Sequence, residues 1–144
     1  MPRANDSPSS LLPTYDYGAW PLFVVRMPSK ALSTEALRNH LTACREPFLR
    51  GQTFCMLIDM GDHPPLPASQ RKIVAEAMKA DTARYPGLVI GLGIVVHSAV
   101  ARGVMTAIHW VARPPYAFAA FDDEVTARRW LLDRLAPSMS LRHG

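Results

Sequence analysis

Residues 88–96 read LVIGLGIVV, nine consecutive positions without a charge or a hydroxyl. A run this short cannot cross a bilayer, which takes ~20 apolar residues. It is also too continuous for a strand with one wet face. It suits a strand covered on both sides, and such strands belong to parallel sheets flanked by helices. Residues 54–58 (FCMLI) repeat the pattern and end in Asp59. Two runs of this kind commit the chain to a layered α/β design.

The segments between them have helical spacing. Ser33-Thr34-Glu35 opens a first helix, with Ser33 as the cap and Glu35 near the positive dipole end. Leu37, Leu41, Cys44 and Phe48 follow on one face. Gly51 stops it, and Pro47 is expected to kink or shorten it. A second helix starts at Ala68 or Ser69 and runs to about Tyr85, with Ile73, Ala77, Ala80 and Arg84 on one side. A third runs from Ala99 to about Ala112, halted by Pro114-Pro115. The last opens at Asp122-Asp123-Glu124 and is expected to end near Leu135. Strands are also expected at residues 20–27 (WPLFVVRM) and at residues 116–121 (YAFAAF). Tyr15 to Tyr17 forms a short N-terminal edge strand beside the first of these. The predicted fold is therefore α/β: a mostly parallel four-stranded sheet with helices packed against it and right-handed crossovers. Residues 14–136 form one domain, between a flexible tail at 1–13 and a second tail at 137–144.

Composition narrows the function. With 144 residues, 49% hydrophobic and 19% charged, the chain can build a core and is not disordered. The formal charge of +4 is spread along the sequence, with no basic run carrying interleaved aromatics. Nucleic-acid binding is accordingly not expected. No membrane span is expected either. The start, MPRANDSPSS, lacks the positive-then-apolar layout of a secretion signal, so a cytoplasmic location is expected. Cys44 and Cys55 form no CxxC and no Cys/His cluster, and read as reduced packing residues.

Gly91-Leu92-Gly93 lies inside an apolar run rather than between a strand and a helix, so it is not a dinucleotide fingerprint. Small residues there let something pack close to the strand. No two histidines have the i, i+4 spacing of a helical metal pair, and neither metal nor cofactor is expected. Asp59, Asp62 and His63 sit at the carboxyl end of a strand, where parallel α/β sheets gather ligands. The choice is between a site and a solvated turn whose aspartate bonds backbone amides. Ser69 and Ser98, each at a helix start, read as caps or nucleophiles, without a visible histidine-plus-acid set. Arg71 and Lys72 oppose the dipole of the second helix. They either help its free amides hold an anion or reach out to water, Asp62 or Glu76.

The third helix is apolar nearly all round. Val100, Val104, Ala107, Ile108 and Val111 form a core-like stripe, while Met105 and Trp110 spread apolar surface over the remainder. Arg102, Thr106 and His109 are its polar points. Such a helix is deeply buried or docks onto a partner. The expected interface comprises Met105, Trp110, Ile108, Arg102 and His109. The alternative is that Leu11, Leu12, Tyr15 and Trp20 fold over it.

The strand ending MLID, the loop and helix start at ASQRK, the strand LVIGLGIVV and the closing YAFAAFDDEVTARRWLLDRL together resemble the SpoIIAA-like, or STAS-type, domains over roughly residues 20–136. The resemblance implies a superhelix of four β-α turns and a non-catalytic regulator of bacterial signalling that binds a protein partner. In that family a serine at the start of the second helix is phosphorylated, and Ser69 is the nearest match by position. The family's Asp-Ser-Ser-Gly-like context is replaced here by Pro67-Ala68-Ser69-Gln70. Taken together, the expectation is a cytoplasmic adaptor, not an enzyme, that docks a protein partner or a second copy of itself. Two alternatives remain. One is a module for a small apolar or anionic ligand between sheet and second helix. The other is a hydrolase around Asp59, Asp62 and His63.

Overall fold

The structure, a computed structural model, describes residues 11–143. Its elements are β1 (Thr14–Ala19), β2 (Leu22–Arg26), α1 (Thr34–Leu49), β3 (Phe54–Asp59), α2 (Ala68–Arg84), β4 (Val89–Val95), α3 (Ala99–Ala112), β5 (Ala117–Phe121) and α4 (Glu124–His143). They form an α/β fold around one sheet of order β1-β2-β3-β4-β5. β1 runs antiparallel to β2, and β2 through β5 are parallel. The sheet therefore has five strands, because the N-terminal edge strand pairs with β2, with a register irregularity between Asp16 and Ala19, beside the four expected. The reading of residues 1–13 as a loose tail falls, for its first ten residues, outside the described residues.

Alternation along the strands divides the interior in two. On one face Leu22, Val24, Cys55, Leu57 and Val95 meet Ala127, Leu131 and Leu135 of α4. On the other, Phe23, Val25, Phe54, Met56, Leu92 and Ile94 meet Phe48 of α1, with Met78 of α2 and Met105 of α3 at the margin. Three helices thus share one face and α4 has the other to itself. Parallel neighbours in sequential order place the three connecting helices on one face when every crossover has the same hand, and α4, which follows the last strand, covers the other. Gly91 and Gly93 belong to the α4 side. A Cβ on Gly93 would lie 3.1 Å from Leu131 Cδ1, and one on Gly91 would lie 3.3 Å from Leu131 Cδ2 and 3.1 Å from Cys55 Sγ. These glycines let α4 settle onto β4.

Local signals hold at most helix starts. Ser33 Oγ accepts from Ala36 N at 3.1 Å, Ser98 Oγ from Ala101 N at 3.2 Å, and Asp123 Oδ1 from Thr126 N at 2.7 Å. Both internal prolines misled. Pro47 lies in the last turn of α1, where it forfeits one helical bond and its ring is buried, and the helix continues to Leu49. α4 passes through Pro137 to His143, beyond the expected end near Leu135. α2 also turns a different side inward. Gln70 and Asp81 are buried, whereas Ala80 and Arg84 are exposed. Asp81 accepts from Arg45 Nε at 3.0 Å, which ties α2 to α1.

Candidate functional site

α3 is the anomaly of the fold. None of its residues is buried. Val100 is 79% exposed, Val104 54%, Ile108 53%, Trp110 84% and Val111 83%. The spacing 100-104-107-111 places Val100, Val104, Ala107 and Val111 on one line along the helix, and that line faces away from the sheet. A valine or isoleucine side chain is worth about 60–120 Å² and a tryptophan about 150–250 Å², so the patch exposes on the order of 300–500 Å². That is as much as the largest apolar patch of an ordinary monomer, and patches of that size are often functional.

The side of α3 that meets the sheet is the less apolar one. Arg102 Nη1 donates to Val96 O at 2.6 Å and lies 3.5 Å from Asp122 Oδ1. The His109 ring stacks on Phe118 with centroids 3.6 Å apart, and its Nδ1–H donates to Met105 O at 2.8 Å. Met105 is half-buried against the aromatic core. Of the five residues read as an interface, Ile108 and Trp110 face outward, while Met105, Arg102 and His109 hold the helix to its own sheet. Conversely, Val100, Val104 and Val111, read as a core stripe, are the outward face. The amphipathic periodicity pointed to these valines and gave no direction. Tyr15 and Trp20 do not cover α3: they pack near Phe23, His40 and Phe54, at the β1 side of the sheet.

Beside α3 lies an open cleft of about 370 Å³ lined by His109, Trp110, Arg113, Pro114, Tyr116 and Phe118. Arg113 caps α3 in the left-handed region, at φ 47°. A left-handed cap ordinarily takes glycine; here Pro114 follows and prevents the helix from continuing.

The loop after β3 is built for structure. Asp59 Oδ1 accepts from Gly61 N at 2.9 Å. Burial, then a hydrogen bond with Glu124, pushes the Asp59 carboxyl above its usual range. Burial also pushes Glu124 up, but hydrogen bonds from Arg26, Arg128 and Asp59 outweigh it and hold that carboxyl low. Arg26 Nη2 lies 2.7 Å and Arg128 Nη2 3.1 Å from Glu124 Oε1. This network joins the ends of β2 and β3 to α4, and neither Arg26 nor Glu124 was legible as its member from spacing alone. His63 is buried and, among the described residues, bonds to neither aspartate: its Nδ1–H donates to Pro28 O at 2.6 Å, and its Nε2 has no partner. Asp62 is exposed.

Ser69 is exposed in the first turn of α2 and does not cap it; the capping position is Pro67. Arg71 Nη1 donates to Leu66 O at 3.4 Å, and Lys72 extends into solvent. Gln70, between them, donates from Nε2 to Leu32 O at 2.9 Å, so His63 and Gln70 both pin the loop between β2 and α1. A third polar group, His40, is buried on α1. It shares a 2.7 Å hydrogen bond with the Tyr15 hydroxyl, and Cys44 Sγ lies 3.6 Å from its Nε2. Burial pushes the Cys44 thiol up to about 12, which leaves it unreactive.

Among the described residues no helix is long and apolar enough to cross a membrane, and no group of three or more His, Cys, Asp or Glu could hold a metal ion. Compared with known proteins, the chain matches no protein-family model, no curated protein and no solved structure.

Proposed function

We propose that this chain is a non-catalytic interaction domain that docks a protein partner onto the outward face of α3. One observation carries the reading: the apolar line through Val100, Val104, Ala107 and Val111 faces away from its own sheet. Water contact with so many aliphatic side chains is unfavourable at roughly 25 cal/mol per Å², and a partner that covers them recovers that free energy. Trp110 adds an anchor of the type that dominates binding energy at interfaces. The order of elements supports a SpoIIAA-like superhelix of β-α turns, and with it a regulatory role in the bacterial cytoplasm. The ligand-module alternative loses its motive, because Leu131 fills the space beside Gly91 and Gly93. The hydrolase alternative lacks an accessible base, since His63 is buried with its Nδ1–H tied to Pro28 O.

Affinity capture from native cell extract tests the proposal, with the wild-type chain beside Val104→Glu and Trp110→Glu. A partner held by the wild type is expected to be lost from both variants at unchanged circular dichroism and melting temperature. Retention of the same partners by both variants rejects the docking face. So does a steep fall in the melting temperature of Val104→Glu, which would show the line to be core.

A further inference from the structure

We infer that the chain also pairs with a second copy of itself, through an antiparallel pairing of β5 with the β5 of the copy. The inference goes beyond the docking role of α3: the copy takes the strand edge and the Trp110 side of the helix, and the valine line stays open to another partner. β5 pairs with β4 along one edge and, among the described residues, with no strand along the other. An open edge is ordinarily guarded by charge, proline or a bulge. The opposite edge is guarded in this way: β1 carries Asp16 and a register irregularity between Asp16 and Ala19. β5, Ala-Phe-Ala-Ala-Phe, has none of these devices and each of its residues is half-buried.

The strand is complementary to itself. Phe118 belongs to the α3 face and Phe121 to the α4 face. With Ala119 on a two-fold axis, Phe118 lies opposite the copy's Ala120, and Phe121 opposite the copy's Ala117. Every aromatic ring meets an alanine on both faces, and no two bulky side chains compete for one place. Charge agrees. Arg113 precedes the strand, while Asp122 and Asp123 follow it. Antiparallel pairing brings the basic end of each strand alongside the acidic end of the other. Arg113 is exposed, and Asp122, although its Oδ1 lies 3.5 Å from Arg102 Nη1 and 3.7 Å from His97 Nδ1, stays exposed enough to meet the Arg113 of the copy.

The helix above continues the surface. Trp110 lines the cleft with Tyr116 and Phe118, so it stands on the β5 side of α3. Gly103 and Thr106 share that side by helical spacing. A Cβ on Gly103 would meet nothing within 4 Å, so its own domain gives no reason for a glycine there. Its absence leaves room for a close approach by the copy's α3. The strand edge and the Trp110 side of α3 carry this contact, and the valine line of α3, which faces away from the sheet, lies outside it.

Sedimentation equilibrium of the full chain tests the inference. The expected mass is twice the 15.9 kDa of one chain. Arg113→Glu and Asp122→Lys each set like charges against each other across the pairing and are expected to weaken self-association roughly 3- to 10-fold. An equimolar mixture of the two restores opposite charges at both ends and returns the wild-type dissociation constant. Amide exchange on the wild type is expected to show β5 protection rising with protein concentration. A wild type that stays monomeric in the high micromolar range overturns the second copy, while the extract experiment still decides the α3 reading. A dimer that ignores both charge reversals, or β5 amides indifferent to concentration, places the contact elsewhere and equally overturns it.

Discussion

The fit of α4 against β4 depends on one leucine pressed onto two glycines, and this can be measured. Leu131 is fully buried, and a Cβ on Gly93 would lie 3.1 Å from its Cδ1 and 3.5 Å from its Cγ. Gly93→Ala therefore overpacks the layer between sheet and helix, at about 1–3 kcal/mol. Leu131→Ala alone leaves a cavity and costs about 2–5 kcal/mol. Together the two changes should not add. Without the leucine the new methyl meets only ordinary contact with Phe121, at 3.5 Å, and fills part of the cavity. The coupling should be favourable by about 1–3 kcal/mol, or roughly 3–12 °C in melting temperature for a domain of this size. Urea unfolding of the wild type, both single variants and the double variant gives the cycle directly. Additivity within about 0.5 kcal/mol would refute the idea that the glycines exist to admit Leu131.

Three further expectations follow from the same contacts. Burial, and secondarily the nearby His63, pushes His40 down to about 4, against about 6.5 unfolded. The unfolded chain then binds a proton that the folded chain refuses, so stability falls as pH drops from about 6.5 to about 4, by about 3 kcal/mol in all. His40→Gln should flatten that part of a stability–pH profile, and an unchanged slope would contradict the assignment. Burial likewise pushes both thiols, Cys44 and Cys55, up to about 12; iodoacetamide at pH 8 should modify neither in the native state and both in urea, as mass spectrometry would show. Gly103→Ala should raise the stability of α3 by about 0.8–1 kcal/mol in dilute solution, because alanine favours a helix and the added methyl meets nothing; a lower melting temperature would reveal a contact on that side.

Much of the fold was legible because it rests on short-range rules. The apolar runs at β3 and β4 are long enough to need cover on both faces, and Ser33, Ser98 and Asp123 bind free amides of their first helical turns. The prolines misled because their effect depends on place. Pro47 lacks only one hydrogen bond in a last turn, and burial of its ring and of Phe48 offsets the loss. The ion network of Arg26, Asp59 and Glu124 could not be read at all. Arg26 and Glu124 are 98 positions apart and meet only because β2, β3 and α4 converge.

The orientation of α3 marks the limit of periodicity as a signal. A 4-3-4 repeat of aliphatic side chains shows that a helix has an apolar side, and nothing in the repeat says whether the chain itself covers it. Here the decision falls to the polar residues. The Arg102 guanidinium reaches Val96 O and Asp122, and the His109 ring lies flat on Phe118, which together fix the inward side. Turning α3 to bury its valines would carry Arg102 off those acceptors and leave Val96 O without its donor. The valines remain outside because the domain has already used the opposite side of the helix, and the docking proposed above is what would cover them.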